Sequence, residues 1–479
     1  MILLGYVLIG IAIMMSIYLL LQLSFGFRVD KNGNVIQQGV AFFSSEPNPA
    51  KIYANGELKS QQTNTRLTLP SGVYDIKLVR EGYRDWQRSI NLEGGRVAHY
   101  DYPLLIPSQL KPKNLQPTFA SQPGFMSQSP DKRWLVVEQP GSLTEFQVFD
   151  LKNPDKAPTA ISIPESVVSN SSAASTLEVS EWAGDNVHLV LKHIFDGRSE
   201  YILVDRTKPE ESLNLNTTLG VNPAELSLIN KKYDLYYLFD PTTQVLQKNS
   251  LKATTPVLVL NRVINFQSYS DDTVLYATTS DAPAGKVAIR MKRGDKTFPI
   301  RTLPTGTTYL LDLTGYSDKL YVVAGASSEN KIYIYKDPVG QINERPGSAL
   351  IPSQVMRVAS PNYLKFSTSA QFVMAENANE FAVYDFENKI GYHYNTAEPI
   401  DQPQTHASWM DGNRLAYISR GKMVMFDYDY ANPQTLVSAS SQYVPAITSN
   451  YEFLYTLKPS TNAPQFEMTQ TSLRTPADQ

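Results

Sequence analysis

The hydrophobic and polar residues of this 479-residue chain follow three successive patterns. Residues Ile2 to Phe27 carry no charged side chain, residues 39–107 alternate apolar and polar positions, and short apolar runs recur between turn clusters from residue 119 onward. An uninterrupted apolar segment favours a membrane helix, whereas alternation with a period of two and short apolar runs bounded by turns favour strands. The chain is therefore predicted to contain one N-terminal helix followed by an all-β body.

The first segment, residues 1–27, is predicted to be a transmembrane anchor. At a helical rise of about 1.5 Å per residue it would span roughly 36 Å or more, enough to cross a bilayer. A cleaved signal peptide is the alternative, although the apolar stretch is longer than the apolar region of a signal peptide. Arg28 and Lys31 follow the segment and no basic residue precedes it. The positive-inside rule would then place the body in the cytoplasm, and the orientation stays open because only two residues support it.

A linker and a small β-domain come next. Residues 28–38 form a polar juxtamembrane linker with a turn signal at Lys31-Asn-Gly33. In residues 39–107, apolar and polar positions alternate most clearly from Tyr74 to Leu78, as in a strand with one buried face. Asn55-Gly56 lies between two such runs and favours a two-residue hairpin turn, because both residues accept positive φ. We expect five or six short strands in a compact β-sandwich.

Residues 39–107 resemble the PEGA domain family. The name-giving motif of that family reads Pro-Glu-Gly-Ala, and in Pro47-Asn-Pro-Ala50 the residues Asn48 and Pro49 replace its middle pair. The surrounding pattern is kept in Phe43-Ser-Ser45, Ile52-Tyr-Ala-Asn-Gly56, Leu69-Pro-Ser-Gly72-Val-Tyr74, Glu81-Gly-Tyr83 and Trp86. The resemblance covers about 70 of the 479 residues. It implies a small sandwich common on extracytoplasmic proteins, acting as a spacer or wall-proximal binding module, and it implies no catalytic residues.

A proline-rich linker, residues 108–118, leads into a repeat that fills residues 119–473. Each copy is a turn cluster followed by a short apolar strand. The eight strands are Leu135–Val137, Val187–Leu191, Leu235–Leu238, Val274–Tyr276, Leu320–Val323, Phe372–Met374, Leu415–Ile418 and Phe453–Tyr455. Their starts are 38 to 52 residues apart, which is the size of a four-stranded propeller blade.

The repeat predicts a β-propeller of eight blades, with seven as the alternative if one copy is split to close the ring. The turn Ser129-Pro-Asp131-Lys132 resembles the blade turn of TolB-like and WD-repeat propellers. A single blade cannot cover both of its faces, and a closed ring buries them. A tandem of β-sandwiches would need units of about 100 residues. Residues 474–479 are predicted to be a polar tail.

Composition narrows the classes of partner. The chain has 43 basic and 46 acidic residues, and its longest basic run is Arg290-Met-Lys-Arg293. A nucleic-acid partner is not expected, since it usually requires a basic patch or stripe. The absence of cysteine excludes disulfides, thiolate chemistry and cysteine-ligated zinc or iron–sulfur sites. The predicted partners are the membrane and a protein or cell-envelope polysaccharide.

The sequence contains no catalytic, cofactor-binding or metal-ligating signature. Its five histidines form no His-x-His or His-Glu-x-x-His pair, and we expect structural or surface roles for all of them. His188 and His193 are five residues apart, which places them on opposite faces of a strand, and His99 is expected on an exposed face. No Gly-x-Ser-x-Gly elbow and no phosphate-binding loop is present. We therefore predict no catalytic residue, no cofactor and no metal.

Two groups of side chains leave alternatives open. Acidic pairs at Asp271-Asp272, Glu210-Glu211 and Asp427/Asp429 suit local hydrogen bonding in turns, while Asp240-Pro-Thr-Thr or Asp271-Asp272 could bind calcium weakly. Alternating tyrosines could line the propeller faces and bind protein or glycan, or they could pack between blades. These tyrosines are Tyr236 and Tyr237, Tyr333 and Tyr335, Tyr392 and Tyr394, and Tyr428 and Tyr430.

These patterns predict a single-pass, membrane-anchored binding or scaffold protein of the cell surface rather than an enzyme. The PEGA-like domain would be a spacer, and the propeller would recognise its ligand through connecting loops and the axial funnel. The alternative is an envelope glycan hydrolase or lyase that uses the propeller funnel. Clustered carboxylates with raised pKa values would favour that alternative, and a large apolar patch would favour an assembly scaffold.

Overall fold

The structure is a computed structural model that describes residues 2–24, 26–29, 33–170, 175–253, 255–270, 272–306, 308–404, 406–461 and 463–478. The chain divides into two units. Unit 1 comprises Met1–Lys111 and Ser472–Gln479, and unit 2 comprises Pro112–Thr471. The chain thus leaves unit 1 after Lys111 and returns to it at Ser472.

Unit 1 begins with a long apolar helix, α1 (Ile2–Ser24). Its 23 residues extend over about 35 Å at a rise of 1.5 Å per residue. The part from Gly5 to Ser24 has a mean hydropathy of 2.2, and none of it is buried. Its length and composition are those of a helix that can cross a membrane, and a signal sequence near the N-terminus shares these features.

The rest of unit 1 is a β-sandwich of two four-stranded sheets. The first sheet contains β1 (Phe27–Val29), β2 (Val35–Phe43), β5 (Thr65–Pro70) and β8 (Val97–Tyr100), and the second contains β3 (Lys51–Ala54), β4 (Glu57–Ser60), β6 (Gly72–Val79) and β7 (Trp86–Leu92). Both sheets contribute to one core, in which Phe43, Ile52, Leu78 and Trp86 are fully or almost fully buried. The alternation that predicted strands thus marks the inner faces of the two sheets.

The structure corrects the prediction of a linker over residues 28–38, because the described part of this segment is mostly paired strand. Strand β1 pairs antiparallel with β2, with Val29 opposite Val35. The backbone N–H of Gln38 also donates to the carbonyl of Gly26 (2.8 Å). A polar sequence can form β1 and the beginning of β2 because backbone pairing satisfies the N–H and C=O groups without full burial of the side chains of residues 28–38. Lys31 and Asn32 of the predicted turn lie outside the described residues.

In unit 2 the described residues form eight four-stranded antiparallel sheets, all but the last built from four consecutive strands. The first four sheets contain β10 (Met126–Gln128), β11 (Trp134–Glu138), β12 (Glu145–Asp150), β13 (Thr159–Ser162); β14 (Thr176–Trp182), β15 (His188–Phe195), β16 (Arg198–Asp205), β17 (Leu213–Asn214); β18 (Glu225–Leu228), β19 (Leu235–Asp240), β20 (Val245–Ser250), β21 (Val257–Leu260); and β22 (Val263–Ser268), β23 (Thr273–Thr278), β24 (Lys286–Arg293), β25 (Lys296–Pro304).

The remaining sheets contain β26 (Tyr309–Tyr316), β27 (Lys319–Ala326), β28 (Lys331–Lys336), β29 (Gln354–Arg357); β30 (Tyr363–Phe366), β31 (Phe372–Asn377), β32 (Glu380–Asp385), β33 (Ile390–Asn395); β34 (Ser408–Trp409), β35 (Arg414–Ser419), β36 (Lys422–Asp427), β37 (Gln434–Ser438); and β38 (Ala446–Ile447), β39 (Phe453–Pro459), β40 (Phe466–Ser472) with β9 (Pro112–Asn114). Two short helices connect strands, α2 (Leu215–Leu219) and α3 (Pro338–Glu344). Single 3-10 turns cover Glu165–Val167, Pro209–Glu211, Ile229–Lys231 and Ser327–Glu329.

Each of the eight predicted apolar strands falls on the second strand of a different sheet. These strands are continuously apolar because both faces of a sheet are covered. In β11, Leu135 and Val137 belong to the core shared with the last sheet, whereas Val136 between them belongs to the core shared with the second sheet. A strand buried on both faces reads as an apolar run rather than an alternation.

The first and last sheets of unit 2 are joined through β9. This strand, from the predicted linker 108–118, pairs antiparallel with β40, so that Asn114 lies opposite Thr469. Phe119 forms a further bridge with Phe466, and the Tyr443 hydroxyl donates to the carbonyl of Pro123 (2.5 Å). This non-local pairing completes the last sheet with a strand from the beginning of unit 2. That the sheets are the blades of one eight-bladed ring stays a prediction.

Candidate binding site on the propeller

The strand order separates the connections of unit 2 into two sets. Successive strands are antiparallel, so the hairpins between second and third strands emerge on the same side as the connections from one sheet to the next. We call this side the hairpin face, and the side of the turns between first and second strands the opposite face. Two clefts of unit 2 lie on the hairpin face.

The first cleft, which we call the hydroxyl cleft, has a volume of about 820 Å³. It is lined mainly by hydroxyl and amide side chains, and none of its described lining residues is charged. The polar lining residues are Gln244, Thr279, Thr305, Thr308, Tyr309, Ser327, Ser328 and Ser360. They come from hairpins and inter-sheet connections around the fourth and fifth sheets. Hydroxyl groups donate and accept hydrogen bonds, so this lining suits an uncharged, hydroxyl-rich ligand.

Backbone contacts fix the walls of the hydroxyl cleft. The N–H of Thr308 donates to the Ser327 hydroxyl (3.2 Å), and the N–H of Ser360 donates to the side-chain oxygen of Asn330 (2.7 Å). The Tyr309 hydroxyl donates to the carbonyl of Pro304 (3.0 Å). Loops tied in this way present a preformed surface, which lowers the entropy cost of binding.

The second cleft, which we call the Glu200 cleft, has a volume of about 910 Å³ and lies by the β15–β16 hairpin of the second sheet. The two turn residues, Asp196 and Gly197, have φ values of 47° and 72°, as a two-residue hairpin of positive φ requires. The hairpin register places His193 opposite Glu200. The tight turn and Glu200 therefore line the cleft, and Glu200 faces the fully buried His193 across the hairpin.

Four donors converge on the carboxylate of Glu200. Ser169 donates from its N–H (2.7 Å) and its hydroxyl (2.6 Å), His193 from Nδ1 (2.9 Å), and Asn214 from Nδ2 (2.8 Å). Asn214 also caps α2, since its side-chain oxygen accepts from the N–H of Thr217 (3.1 Å). Burial raises the pKa of Glu200, but these hydrogen bonds outweigh it and lower the pKa below its ordinary value. The carboxylate is saturated with protein donors, so its role in the cleft is structural.

Three further carboxyl groups are buried with fewer partners. Burial raises the pKa of Glu138 to about 7, against one hydrogen bond from the N–H of Gly124. Burial likewise raises the pKa of Glu376 well above its ordinary value, against one bond from the N–H of Ala407 (2.9 Å). Burial also raises the pKa of Asp312. Such groups are candidates for proton-transfer chemistry when they reach a cleft.

Glu376 and Asp312 lie near Tyr363, since both carboxyl groups contribute to the raised pKa of the Tyr363 hydroxyl, after burial as the largest cause. The Tyr363 ring stacks on His406 with a centroid distance of 3.7 Å. Glu376 is fully buried and Asp312 nearly so, and neither lines the two clefts on the hairpin face. This cluster is shielded from solvent, which favours a structural role over a catalytic one.

The histidines occupy separate places. His99 is exposed and stacks on Phe42 (4.9 Å between centroids). On β15, His188 is partly exposed and contacts Asp185 (2.6 Å), whereas His193 is fully buried. His393 contacts Glu380 (2.9 Å). Among the described residues no group of three His, Cys, Asp or Glu side chains could hold a metal ion.

The acidic pairs bond locally. Asp240 accepts from the N–H of Thr242 (2.9 Å) and the hydroxyl of Thr243 (2.8 Å), while Glu211 pairs with Lys208 (2.7 Å). Asp427 accepts from the side chain of Asn432 (2.9 Å). Asp272 accepts from Ser270 (2.6 Å), and its neighbour Asp271 lies outside the described residues. These contacts fit the turn interpretation of the acidic residues.

The tyrosines mostly pack inside unit 2. Five of the eight are buried, namely Tyr236, Tyr237, Tyr333, Tyr335 and Tyr428. The other three, Tyr392, Tyr394 and Tyr430, are partly buried. Tyr394 stacks on Tyr430 with a centroid distance of 5.4 Å. Of the two alternatives for these tyrosines, packing within and between sheets describes the structure.

Sequence analysis did not single out Glu138, Glu200 or Glu376. Glu138 and Glu376 each end an apolar run on a second strand, after Leu135-Val-Val and Val373-Met-Ala. A single acidic residue at the end of an apolar strand could therefore have been recognised in the sequence as a buried carboxyl group. No such signal marks the partners of Glu200, because Ser169, His193 and Asn214 come from separate segments.

The sheets of unit 2 define a β-propeller, preceded in the chain by a β-sandwich and an apolar helix. Within unit 1, residues 39–106 match the family model described as the PEGA domain. The predicted resemblance to a PEGA domain followed by a propeller is thereby confirmed. No curated protein matches the sequence of the chain.

Solved structures similar to the chain include propellers. Hsv2 of Kluyveromyces lactis aligns with a TM-score of 0.42 at 10% identity, over 66% of this chain and 98% of its own. The propeller of Dos1 aligns with a TM-score of 0.45 at 13% identity, over 76% of this chain and 96% of its own. The dihydro-heme d1 dehydrogenase NirN aligns with a TM-score of 0.42 at 10% identity, over 65% of this chain and 66% of its own. At these identities the likeness concerns the fold alone.

Proposed function

We propose that this protein is a single-pass membrane-anchored binding protein whose propeller recognises a cell-envelope polysaccharide in the hydroxyl cleft. The observation that carries the proposal is the uncharged lining of serine, threonine and glutamine side chains around about 820 Å³ on the hairpin face. Sugars present many hydroxyl groups that both donate and accept, and such a lining can match them without desolvating a charge. The PEGA domain is the spacer between the bilayer and the propeller.

The location is part of the same proposal. Helix α1 anchors the chain, and the body faces the envelope or the cell exterior, where PEGA domains occur. Arg28, which follows α1, favours the reverse orientation by the positive-inside rule, with little weight because so few basic residues flank the helix.

Protease shaving of intact cells tests the location. An epitope tag between Gly347 and Ser348, in an exposed segment after α3, should be cleaved on intact cells or, for a body inside the envelope, on spheroplasts, while a cytoplasmic control protein stays intact. A tag that is protected in both and becomes cleavable only after the membrane is lysed would contradict the envelope location.

Filling the cleft tests the ligand. Thr305 is exposed and lines the hydroxyl cleft, so Thr305→Trp should weaken binding of purified envelope polysaccharide at least tenfold without unfolding the propeller. Thr159→Trp, at an exposed threonine of the outer strand β13, is the matched control and should leave binding unchanged. Binding that survives Thr305→Trp would exclude this cleft. If the propeller specifically captured a protein and not the polysaccharide, the ligand would be a protein and the proposed ligand class would be wrong.

A second candidate is an envelope glycan hydrolase or lyase, favoured by the raised pKa values of Glu376 and Asp312 beside Tyr363. Incubation of the polysaccharide with the full chain should then release shorter fragments, and Glu376→Gln should abolish the release. The burial of both carboxyl groups argues against this candidate, and we expect the polysaccharide to be recovered intact.

A further inference from the structure

The last described residues of the sequence are part of unit 1 rather than a free tail. We call Ser472–Asp478 the end segment. Leu473 is fully buried, and the end segment belongs to the same compact unit as the PEGA domain. Residues 474–479 were expected to be a polar tail, yet Arg474, Thr475 and Asp478 make specific contacts.

Three side chains converge on the carboxylate of Asp478. The Tyr83 hydroxyl donates to Oδ2 (2.6 Å), the Thr475 hydroxyl donates to the same oxygen (2.9 Å), and the Arg80 guanidinium contacts both carboxylate oxygens, with Nε 3.4 Å from Oδ2. Arg80 and Asp478 also form an ion pair, and both side chains are largely shielded from solvent. Partly buried, charge-assisted bonds of this kind are stronger and more directional than exposed ion pairs.

The contact extends along the backbone. The N–H of Thr475 donates to the Tyr83 hydroxyl (2.9 Å), and the N–H of Asp478 donates to the carbonyl of Thr475 (2.9 Å), closing a turn. At the other end of the segment, Arg474 pairs with Glu46. The segment is therefore held at a basic residue, at a turn and at an acidic residue.

The loop that receives the end segment is shaped for close approach. Gly82 has a φ of +80°, and a Cβ at this position would lie 3.1 Å from the Thr475 methyl group. A larger residue would be strained in this conformation and would press on the segment. Tyr83, next to it, is buried in the core of the sandwich and yet presents its hydroxyl to the segment. The Glu81-Gly-Tyr83 motif of the PEGA resemblance thus forms one wall of the contact.

We propose that the Arg80–Tyr83 loop of the PEGA domain, together with Glu46, is a peptide-binding site, and that its occupant is the chain's own end segment. The recognised chemistry is an arginine followed four residues later by an aspartate in a tight turn. Because Glu46 binds the basic residue and Arg80 the acidic residue, the two ends of the peptide are distinguished by charge. Occupancy ties the returning chain to unit 1 at the point where it leaves unit 2.

Peptide binding in trans tests this site. The full chain ending after Leu473 should bind a fluorescent peptide of residues 474–479, measured by anisotropy in detergent, whereas the intact chain should bind it at least tenfold more weakly because the site is occupied. The same peptide carrying Asp478→Asn should bind the shortened chain at least tenfold more weakly. A shortened chain that keeps its near-ultraviolet circular dichroism and binds neither peptide would overturn the proposal.

A second measurement covers the case in which the shortened chain does not fold. In the intact chain, Asp478→Asn should speed amide hydrogen exchange at least tenfold in the end segment and in the Arg80–Tyr83 loop. Asp155→Asn, at an exposed aspartate of unit 2, should change neither. Unchanged exchange in the Asp478→Asn chain would show that the carboxylate does not hold the segment, and the proposal would fail.

Discussion

Two glutamates near the hairpin face of the propeller are both buried, yet their pKa values are shifted in opposite directions. Glu200 is 5% exposed and Glu138 is 7% exposed, so both side chains are largely out of water, although more protein surrounds Glu138 than Glu200. Glu200 accepts four hydrogen bonds from three residues, and its pKa is lowered. Glu138 accepts one from the N–H of Gly124, and burial raises its pKa to about 7.

The two glutamates differ in the number of hydrogen-bond donors and also in how deeply they are packed, and both differences act in the same direction. Desolvation penalises the charged form of both groups, and each hydrogen bond to the carboxylate offsets part of that penalty. Glu200 therefore stabilises the fold as an anion that joins Ser169, His193 and Asn214. Burial makes the anionic form of Glu138 unfavourable, so the folded chain is more stable when Glu138 is protonated.

The largest expected effect comes from removing the better-bonded glutamate. Glu200→Ala should lower the free energy of unfolding by about 3 kcal/mol at pH 7, because it leaves buried donors of His193, Ser169 and Asn214 without their acceptor. Chemical denaturation of the detergent-solubilised full chain, followed through the propeller transition, measures it. Since the folded pKa is lowered, this contribution is present above the unfolded pKa and is lost as the pH falls through the folded pKa.

The exposed Glu165 of the same region supplies the control. Glu165→Ala should change the free energy of unfolding by less than about 0.5 kcal/mol. Equal losses for Glu165→Ala and Glu200→Ala would contradict the role assigned to the four hydrogen bonds.

The other glutamate should respond in the opposite direction. Glu138→Gln keeps an acceptor for Gly124 and removes the charge, so above pH 7 it should stabilise the chain by up to about 3 kcal/mol. The folded pKa is raised, so the cost of the anion is absent below the unfolded pKa of about 4.5, grows as the pH rises and is complete above about 7. Thermal unfolding of both chains at pH 4 and pH 8 measures the difference.

A gain in melting temperature that is the same at both pH values would show that the substitution acts through packing instead of charge. The two substitutions should therefore act in opposite directions, since Glu200→Ala removes the acceptor of four hydrogen bonds, whereas Glu138→Gln removes a charge that burial disfavours. Only a pH series distinguishes these explanations, because a single condition reports the sum of packing and charge.

Sequence patterns could predict the parts of this molecule that repeat or that are local. The eight second strands were visible because a strand buried on both faces is an apolar run, and the sandwich was visible through its alternation and its Asn55-Gly56 turn. The same logic made α1 visible as an uncharged segment. These features depend on neighbours in the sequence, so one sequence is enough to detect them.

The rest depends on contacts between distant residues. Strand β9 pairs with β40 about 350 residues later, and a three-residue polar strand carries no periodicity that would reveal it. The donors of Glu200 come from three places in the chain, and Asp478 meets Arg80 and Tyr83 only after the propeller has been completed. The hydroxyl cleft likewise draws its serines and threonines from loops of several sheets, none of which is distinctive alone.

The smallest expected effect concerns the single donor of Glu138. A Cβ added to Gly124 would collide with the Glu138 carboxylate, so Gly124→Ala should displace that side chain and cost about 1 kcal/mol of unfolding free energy. In the Glu138→Ala background the collision partner is absent, and the same change should then cost almost nothing. A double-mutant cycle by chemical denaturation measures this coupling. An equal cost of Gly124→Ala in both backgrounds would mean that the backbone of Gly124, and not its approach to Glu138, requires glycine. That result would contradict the close contact between Gly124 and Glu138, which is the basis for the single hydrogen bond of Glu138.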